Sequence, residues 1–390
     1  MDRRSFVRNC SALAAAAAME SPRWASAAPT PARKTPYIMG ADISWIPEDE
    51  AQGAQYFDRG QRKDIFDILK AYKFNYVALR IFVNPSAPGG YSRQGFCDLE
   101  NTKKMAKRIK AAGMGFLIGF HFSDTWTSPG HQAKPSAWRD LSFPDLTKAL
   151  HDWVKATLVA LKDNGTPPQI AKIGNEMTDG IMVPEGAVSN FDNFATLIKA
   201  GCAASREVDP KIQIALHHHL GRDNAKVRAW VDNFLSRKTD FDIITMSCYA
   251  EANKGQDWKS NFNDLAVRYP KLKTMAQEYS SNKRALNDVI FNAPNEQGLG
   301  SFIWEPCRWM EAIFDKNGLN AGDQENNKPH LAANPMPGAA TQTAASQPAT
   351  APATQPGRGF GRSRGGRYDT NAYALTYLEM AKAYGLGTPA

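Results

Sequence analysis

The sequence predicts an α/β fold of the (β/α)8, or TIM-barrel, class in a single domain, and three observations carry that expectation. Eight short apolar runs alternate with amphipathic segments, and most of the runs end in polar or charged residues. Strand–helix alternation implies parallel strands, because each crossover returns the chain to the sheet in the same direction. The alternative, a doubly wound open sheet, would usually show a Gly-rich nucleotide loop after a strand, and Gly40-Ala41-Asp42 does not supply one.

The elements follow in chain order. Arg3-Arg4, an Ala-rich stretch to Met19 and the small residues Ala25-Ser26-Ala27 are the successive parts of an export leader. Residues 1–28 are therefore expected to form a twin-arginine-type signal peptide, with a linker over 29–35, and Cys10 is expected to be lost with the leader. The barrel is expected over 36–325. Its strands are read at Ile38–Ser44, Asn75–Val83, Gly115–Ser123, Ile170–Glu176, Ile212–His217, Asp242–Tyr249, Leu272–Glu278 and Leu299–Glu305. Between them, Asp98–Ala112, Pro144–Lys162, Asn190–Glu207 and Ala225–Leu235 have the apolar spacing of helices, and Gly113 supplies a helix terminator. Residues 326–367 are rich in Ala, Pro, Gln, Thr and Gly and almost lack large aliphatics. Such a stretch cannot bury enough apolar surface to offset its ordering entropy, so a disordered insertion is expected there. Residues 368–386, with Tyr373, Tyr377, Met380 and Tyr384, are expected to be the terminal helix that completes the barrel.

Composition narrows the function. A chain of 390 residues, 43% hydrophobic and 22% charged, is too apolar for disorder throughout. No uncharged apolar run reaches the roughly 18 residues of a membrane span, so no membrane partner is expected once the leader is removed. The net charge of +8 is concentrated at two places: residues 1–28 contribute +2 and 357–367 contribute +4, which leaves +2 for the rest. The folded part therefore has no basic field for nucleic acid. The run Gly357 to Arg362 resembles RNA-binding Arg-Gly segments, but a soluble insertion suits an exported protein better. Cys97, Cys202, Cys248 and Cys307 are read as buried small hydrophobes.

A barrel of this class places its chemistry at the C-terminal ends of the strands. The second strand leads through Arg80 to Asn84. The third ends in His121 and Asp124-Thr125-Trp126, the fourth in Asn175-Glu176, the fifth in His217-His218-His219. The sixth ends in Tyr249, the seventh in Glu278 and the eighth in Trp304-Glu305. A charged group at one strand end is usually a solvated cap, and a lone Trp is usually core. Two Glu facing each other across an aromatic-lined cleft are instead the equipment of a glycosidase. Phe96, Trp126, Trp138, Trp304 and Trp309 could stack on sugar faces.

Several of these segments resemble glycoside hydrolase family 53, the arabinogalactan endo-β-1,4-galactanases. They are Gly40-Ala41-Asp42-Ile43-Ser44, Leu79-Arg80-Ile81-Phe82-Val83-Asn84-Pro85 and Phe120-His121-Phe122-Ser123-Asp124-Thr125-Trp126. Ile173-Gly174-Asn175-Glu176-Met177-Thr178-Asp179-Gly180, Leu216-His217 with Asp223-Asn224, Glu278 and Trp304-Glu305-Pro306 continue it, in order, over about residues 36 to 318. The resemblance implies a retaining endo-acting enzyme that cleaves β-1,4-galactosidic bonds, with Glu176 as acid/base and Glu278 as nucleophile. Arg80 is then expected beside Glu278 as a cation, Tyr249 hydrogen-bonded to the same carboxylate, and Asn175 on the hydroxyl next to the reacting carbon. His121, Asp124, Trp126, His217, Asp223, Asn224 and Trp304 complete the expected substrate-binding set. The family commonly has Trp where Phe82 stands and Thr where Tyr279 stands.

The expected partner is β-1,4-galactan or arabinogalactan, acted on by a monomer, periplasmic or secreted. No cofactor is expected. A calcium site of the kind some relatives carry would draw on Asp315, Asn317, Asn320 and Asp323, which read better as a solvated polar loop. Two rivals remain. A zinc enzyme could use the His217-His218-His219 run with Asp223, or His121 with Asp124, although adjacent His on a strand point to opposite faces. A non-catalytic carbohydrate-binding barrel is the other, and the presence of both Glu speaks against it.

Overall fold

The structure, a computed structural model, describes residues 33–249, 257–309, 311–320 and 365–386. The leader, the start of the linker and the insertion up to 364 lie outside these residues. Eight parallel strands close into a barrel. They are β1 (Ile38–Asp42), β2 (Tyr76–Phe82), β3 (Gly115–His121), β4 (Ile170–Ile173), β5 (Gln213–His218), β6 (Ile243–Ser247), β7 (Lys273–Tyr279) and β8 (Gly298–Trp304), with β1 paired to both β2 and β8. Each expected strand is present.

Among the described residues, besides a short helix Ile46–Ala51 after β1, eight helices alternate with them: α1 (Ile65–Ala71), α2 (Leu99–Ala111), α3 (Phe143–Asp163), α4 (Phe191–Val208), α5 (Asn224–Ser236), α6 (Trp258–Arg268), α7 (Lys283–Phe291) and α8 (Ala372–Ala383). Their starts are set by short polar side chains that accept an orphan backbone N–H of the first turn: Asp98 for α2, Ser142 for α3, Asn190 for α4, Asp223 for α5 and Asn371 for α8.

The apolar side chains sort into two bodies by strand alternation. One lies between the strands and the helices. The other plugs the barrel interior with Ile38, Ala78, Leu117, Ile170, Ala215, Ile243, Met275, Leu299 and Phe302, drawn from all eight strands. Gly40 makes room for this plug, since a Cβ there would lie 2.3 Å from the Phe302 ring. Further along the strands the inward positions turn polar: Arg80, Lys172 and His217, each two residues past the plug, and Asp42, two past Gly40, all buried. The apolar plug thus forms a floor under a polar layer at the strand ends.

A second sheet was not anticipated. It runs in the order Leu319–Asn320, Phe314–Lys316, Arg367–Thr370, Gln55–Asp58, Gln61–Arg62. It joins the excursion after β1 to the excursion after β8. The expected insertion of 326–367 therefore ends earlier in the fold: Arg367 is already in a strand, and the terminal segment read as all helix begins with that strand. Gly365 permits the return, because a Cβ there would lie 2.0 Å from the Gln52 carbonyl oxygen. Strands this short carry too few apolar residues to show a period.

Cys97, Cys202, Cys248 and Cys307 are all buried as free thiols.

Candidate active site

Glu176 sits just past the end of β4, and the chain makes a sharp turn to present it. Gly174 has φ +86° and Glu176 itself φ 46° and ψ 47°, a left-handed conformation that costs a non-Gly residue about 1–3 kcal/mol. Glu278 is presented differently. Met275 faces the plug, so strict alternation would send Glu278 outward and Tyr279 inward. The ladder to β8 slips between Ala276 and Tyr279, and this irregularity reverses both. Glu278 enters the polar layer, and Tyr279 leaves it to bond the Tyr377 hydroxyl on α8 at 2.8 Å. The Tyr at position 279 therefore packs behind the barrel.

The two carboxylates face each other, with an oxygen of each and a ring nitrogen of His217 all within 4.8 Å of one another. That proximity puts the pair on the close side occupied by retaining glycosidases, roughly 5–5.5 Å, and short of the ~6.5–9.5 Å of inverting ones. Glu176 Oε1 accepts from the Ser247 hydroxyl at 2.6 Å. Glu278 Oε2 accepts from the Tyr249 hydroxyl at 3.2 Å, and its Oε1, though buried, accepts from no described residue. Burial pushes both carboxyls up from the usual range. The Glu176 charge raises Glu278 further, so the pair holds its last proton jointly.

The cation that offsets this is Lys172, which sequence reading missed. It is an inward residue of β4, and its charge lowers both carboxyls. Its Nζ donates to Asn175 Oδ1 and lies 3.4 Å from His217 Nδ1. The sequence signal was a lysine at an inward position of Ile170-Ala171-Lys172-Ile173, a run bounded by apolar residues. Ser247 was missed as well, because a strand-end Ser carries no pattern of its own.

The expectation that Arg80 lies beside Glu278 is corrected. Arg80 Nη1 pairs with Glu305 Oε1 at 2.7 Å and with Asp42 Oδ1 at 3.6 Å. Its guanidinium is enclosed by the rings of Trp126, Trp45 and Trp304, 4.3, 4.9 and 5.3 Å from their centroids. A delocalised cation that two carboxylates and three indoles already occupy is part of the cleft wall rather than a partner of the nucleophile.

The remaining expected residues divide. Asn175 donates through Nδ2 to the Thr127 carbonyl at 2.9 Å, which leaves its second amide hydrogen for a ligand. His121 bonds Thr127 through Nδ1, and burial holds its ring neutral. Trp126 and Trp304 meet edge to face at 5.8 Å. Asp124 is a loop brace: one oxygen accepts from Asn84 N at 3.1 Å, the other from the backbone and hydroxyl of Ser136. Asp223 caps α5, and Asn224 bonds Asn261 and Asp264 on α6. Trp138, considered as a sugar platform, is core packed on Trp153.

The histidine run does not converge. His218 packs on Trp230, while His217 faces the glutamates. Both His217 nitrogens are engaged, Nε2 with Ser247 Oγ at 3.1 Å and Nδ1 with the Glu176 N–H at 3.3 Å, and an ammonium stands beside the ring. That donor set does not suit a divalent cation. Of the residues considered for calcium, Asp323 lies outside the described residues; Asp315 Oδ1 accepts from Asn371, and Asn317 Oδ1 accepts from the Arg367 N–H.

The family model "Glycosyl hydrolase family 53" matches residues 38–287. An uncharacterized protein in the bgaB 5′ region of Niallia circulans is 38% identical over 245 residues, 60% of this chain and 65% of that protein. This chain thus spans just under two thirds of that relative. An arabinogalactan endo-β-1,4-galactanase of Thermothelomyces thermophilus is 33% identical over 306 residues, 70% of this chain and 89% of its own length. Among solved structures, the GH53 catalytic domain of Ignisphaera aggregans superposes with a TM-score of 0.67 at 27% identity, covering 75% of this chain and 96% of that one.

Proposed function

The chain belongs to glycosyl hydrolase family 53, and on that premise we propose that it cleaves internal β-1,4-galactosidic bonds of galactan or arabinogalactan with retention. The observation that carries the proposal is the opposed pair Glu176 and Glu278, whose oxygens lie within 4.8 Å in a buried, aromatic-walled cleft. Glu278 Oε1, which no described residue bonds, is the atom that attacks the anomeric carbon. As that bond forms, the glycosidic C–O bond breaks and Glu176 gives its proton to the leaving oxygen. Water then enters. Glu176, now a base, takes its proton, and the oxygen displaces Glu278 from the anomeric carbon. Two inversions at one carbon give net retention. Tyr249 holds the nucleophile's other oxygen in line, and the spare N–H of Asn175 binds the neighbouring sugar hydroxyl. Trp126 and Trp304 supply apolar wall for sugar C–H faces.

The test is product analysis on linear β-1,4-galactan, β-1,3-galactan, mannan and cellulose, with NMR of the fresh product's anomeric proton. Short β-anomeric galacto-oligosaccharides from β-1,4-galactan are expected, at an unchanged rate after exhaustive chelation. Cleavage of another glycan in preference, or a chelation loss restored by zinc and not by calcium, would overturn the reading.

We further propose that the protein acts outside the inner membrane as a monomer, delivered by the leader at 1–28. Replacing Arg3 and Arg4 together by Lys should trap active enzyme in the cytoplasm, because the arginine pair is read as an address rather than as charge. Undiminished export of that variant in a fractionation experiment would mean the general secretory route.

A further inference from the structure

We infer that Lys172 is a positioning residue for the glutamate pair: held between Asn175 Oδ1 and His217 Nδ1, its ammonium dictates which atoms carry the protons along the chain His217–Ser247–Glu176. The inference rests on the galactanase reading above and deepens it.

The barrel is built to admit this side chain. Lys172 on β4 lies directly opposite Gly119 on β3, and a Cβ at 119 would stand 2.9 Å from Lys172 Cε. With glycine there, the lysine stem crosses the barrel interior and remains only 3% exposed.

The proton positions follow from donors and acceptors. Asn175 Nδ2 donates to the Thr127 carbonyl, which fixes the amide and turns Oδ1 toward Lys172. Asn175 Oδ1 and His217 Nδ1 lie 3.1 Å apart, and an ammonium that donates to both reconciles two acceptors at that distance. His217 Nδ1 also receives the Glu176 N–H at 3.3 Å. With two donors aimed at it, Nδ1 carries no hydrogen. Burial, and then the charge of Lys172, keep the ring neutral. Its single proton is therefore on Nε2 and is donated to Ser247 Oγ at 3.1 Å. Ser247 has only its own hydrogen left to give, and it gives it to Glu176 Oε1 at 2.6 Å. The proton that Glu176 delivers as an acid is left with one place, Oε2.

The same ammonium carries the charge that faces the pair. Burial pushes Lys172 itself down, while Glu278 on β7, Asp42 on β1 and Glu176 hold it protonated, against Arg80 on β2. His121 on β3 and His217 on β5 feel its charge as neutral rings. Tyr249 faces both carboxylates from the end of β6. Removing Lys172 removes the offset to both glutamates. Glu278 must then be deprotonated at a higher pH, and Glu176 keeps its proton to a higher pH. Both limbs of the pH–rate profile move in the alkaline direction.

Two substitutions in the full chain separate hydrogen bonding from charge. Lys172→Gln keeps two N–H donors without the charge, and Lys172→Met removes both. The readouts are the pH dependence of kcat/KM on linear β-1,4-galactan and the 15N spectrum of His217, which reports the tautomer without turnover. The wild-type ring should be Nε2–H. Both variants should shift the profile alkaline by about one unit or more. The Gln variant should keep the tautomer. The Met variant should admit an Nδ1–H form that donates to Asn175 Oδ1, with kcat at its own optimum down roughly tenfold or more. A wild-type Nδ1–H ring, or a profile in the Gln variant superimposable on wild type, would overturn the inference. The Gln arm decides the matter if the Met variant does not fold. Failure of the wild type to cleave galactan would sink the galactanase reading alone, since the tautomer is measured independently of activity.

Discussion

Replacing Glu278 by Gln is expected to lower turnover of β-1,4-galactan by roughly four orders of magnitude or more, because the covalent step is lost. The fold should not suffer. Burial pushes this carboxyl up, so its charged form is disfavoured in place, and a neutral amide of the same shape relieves that cost. Stability at neutral pH should equal or exceed that of wild type, as expected where function and stability conflict. Glu176→Gln should fail on galactan to a similar degree yet show a different signature. An aryl β-galacto-oligosaccharide with an acidic phenol leaves without a proton, so the first step should survive there while deglycosylation stalls. A burst of phenol followed by a slow phase is the measurement. In Glu176→Ala, azide should restore turnover and yield a β-galactosyl azide. Equal loss on both substrates, with no burst and no rescue, would remove Glu176 from the acid/base role.

The second large effect concerns stability. Arg80→Met should destabilise the fold by about 3–5 kcal/mol, the usual result of stripping one partner from a buried ion pair. Glu305, 1% exposed, would keep the Trp45 N–H at 3.1 Å and lose its guanidinium. Burial raises the Glu305 carboxyl and Arg80 pulls it back, so removing Arg80 raises it further. The sign is fixed by linkage. A folded-state value above the unfolded one means that the native state holds a proton the unfolded chain releases above about pH 4.3. Wild-type Glu305 is itself pushed up to about 8, so below that pH both native states keep the proton. The deficit should therefore grow as pH rises past about 8, being larger at about pH 9.5 than at about pH 7 in urea unfolding. A loss under about 1 kcal/mol, or an equal loss at both pH values, would show that the indole cage rather than the charge pair holds this wall.

The barrel was legible because its signal is repeated. Eight apolar runs each fix a strand locally, and parallel closure follows from alternation alone. Glu176 and Glu278 were legible because strand ends converge in this fold whatever their separation along the chain. What sequence could not supply was which way a side chain turns once it arrives. Arg80 has Glu305 as its partner 225 residues away, and no local pattern announces that pairing. The slip in β7 that swaps Glu278 for Tyr279 is a backbone event with no residue signature. Asp124 carries the right chemistry for sugar binding, yet the Asn84 and Ser136 N–H groups of the loops claim its two oxygens first. Lys172 was hidden because a lysine on a short strand ordinarily reaches water.

The start of β1 and the end of α8 touch. The Tyr37 and Tyr384 rings meet at 5.3 Å, Phe291 stacks on Tyr384 at 4.2 Å, and the Arg33 guanidinium lies over the Phe291 ring at 4.9 Å. In space the barrel is thus a ring without a privileged first unit, and the covalent gap between residues 33 and 386 is one seam among eight. The flanks of the low-complexity segment form a second place where the chain is held on both sides, since Phe314–Lys316 pairs both Leu319–Asn320 and Arg367–Thr370. A circular permutant that closes the first seam with a short linker and opens the chain at the second would keep every strand neighbour. Its new ends would emerge after β8, where the catalytic face is, rather than beside the floor. A carbohydrate-binding module or an anchor fused there would be tethered next to the substrate.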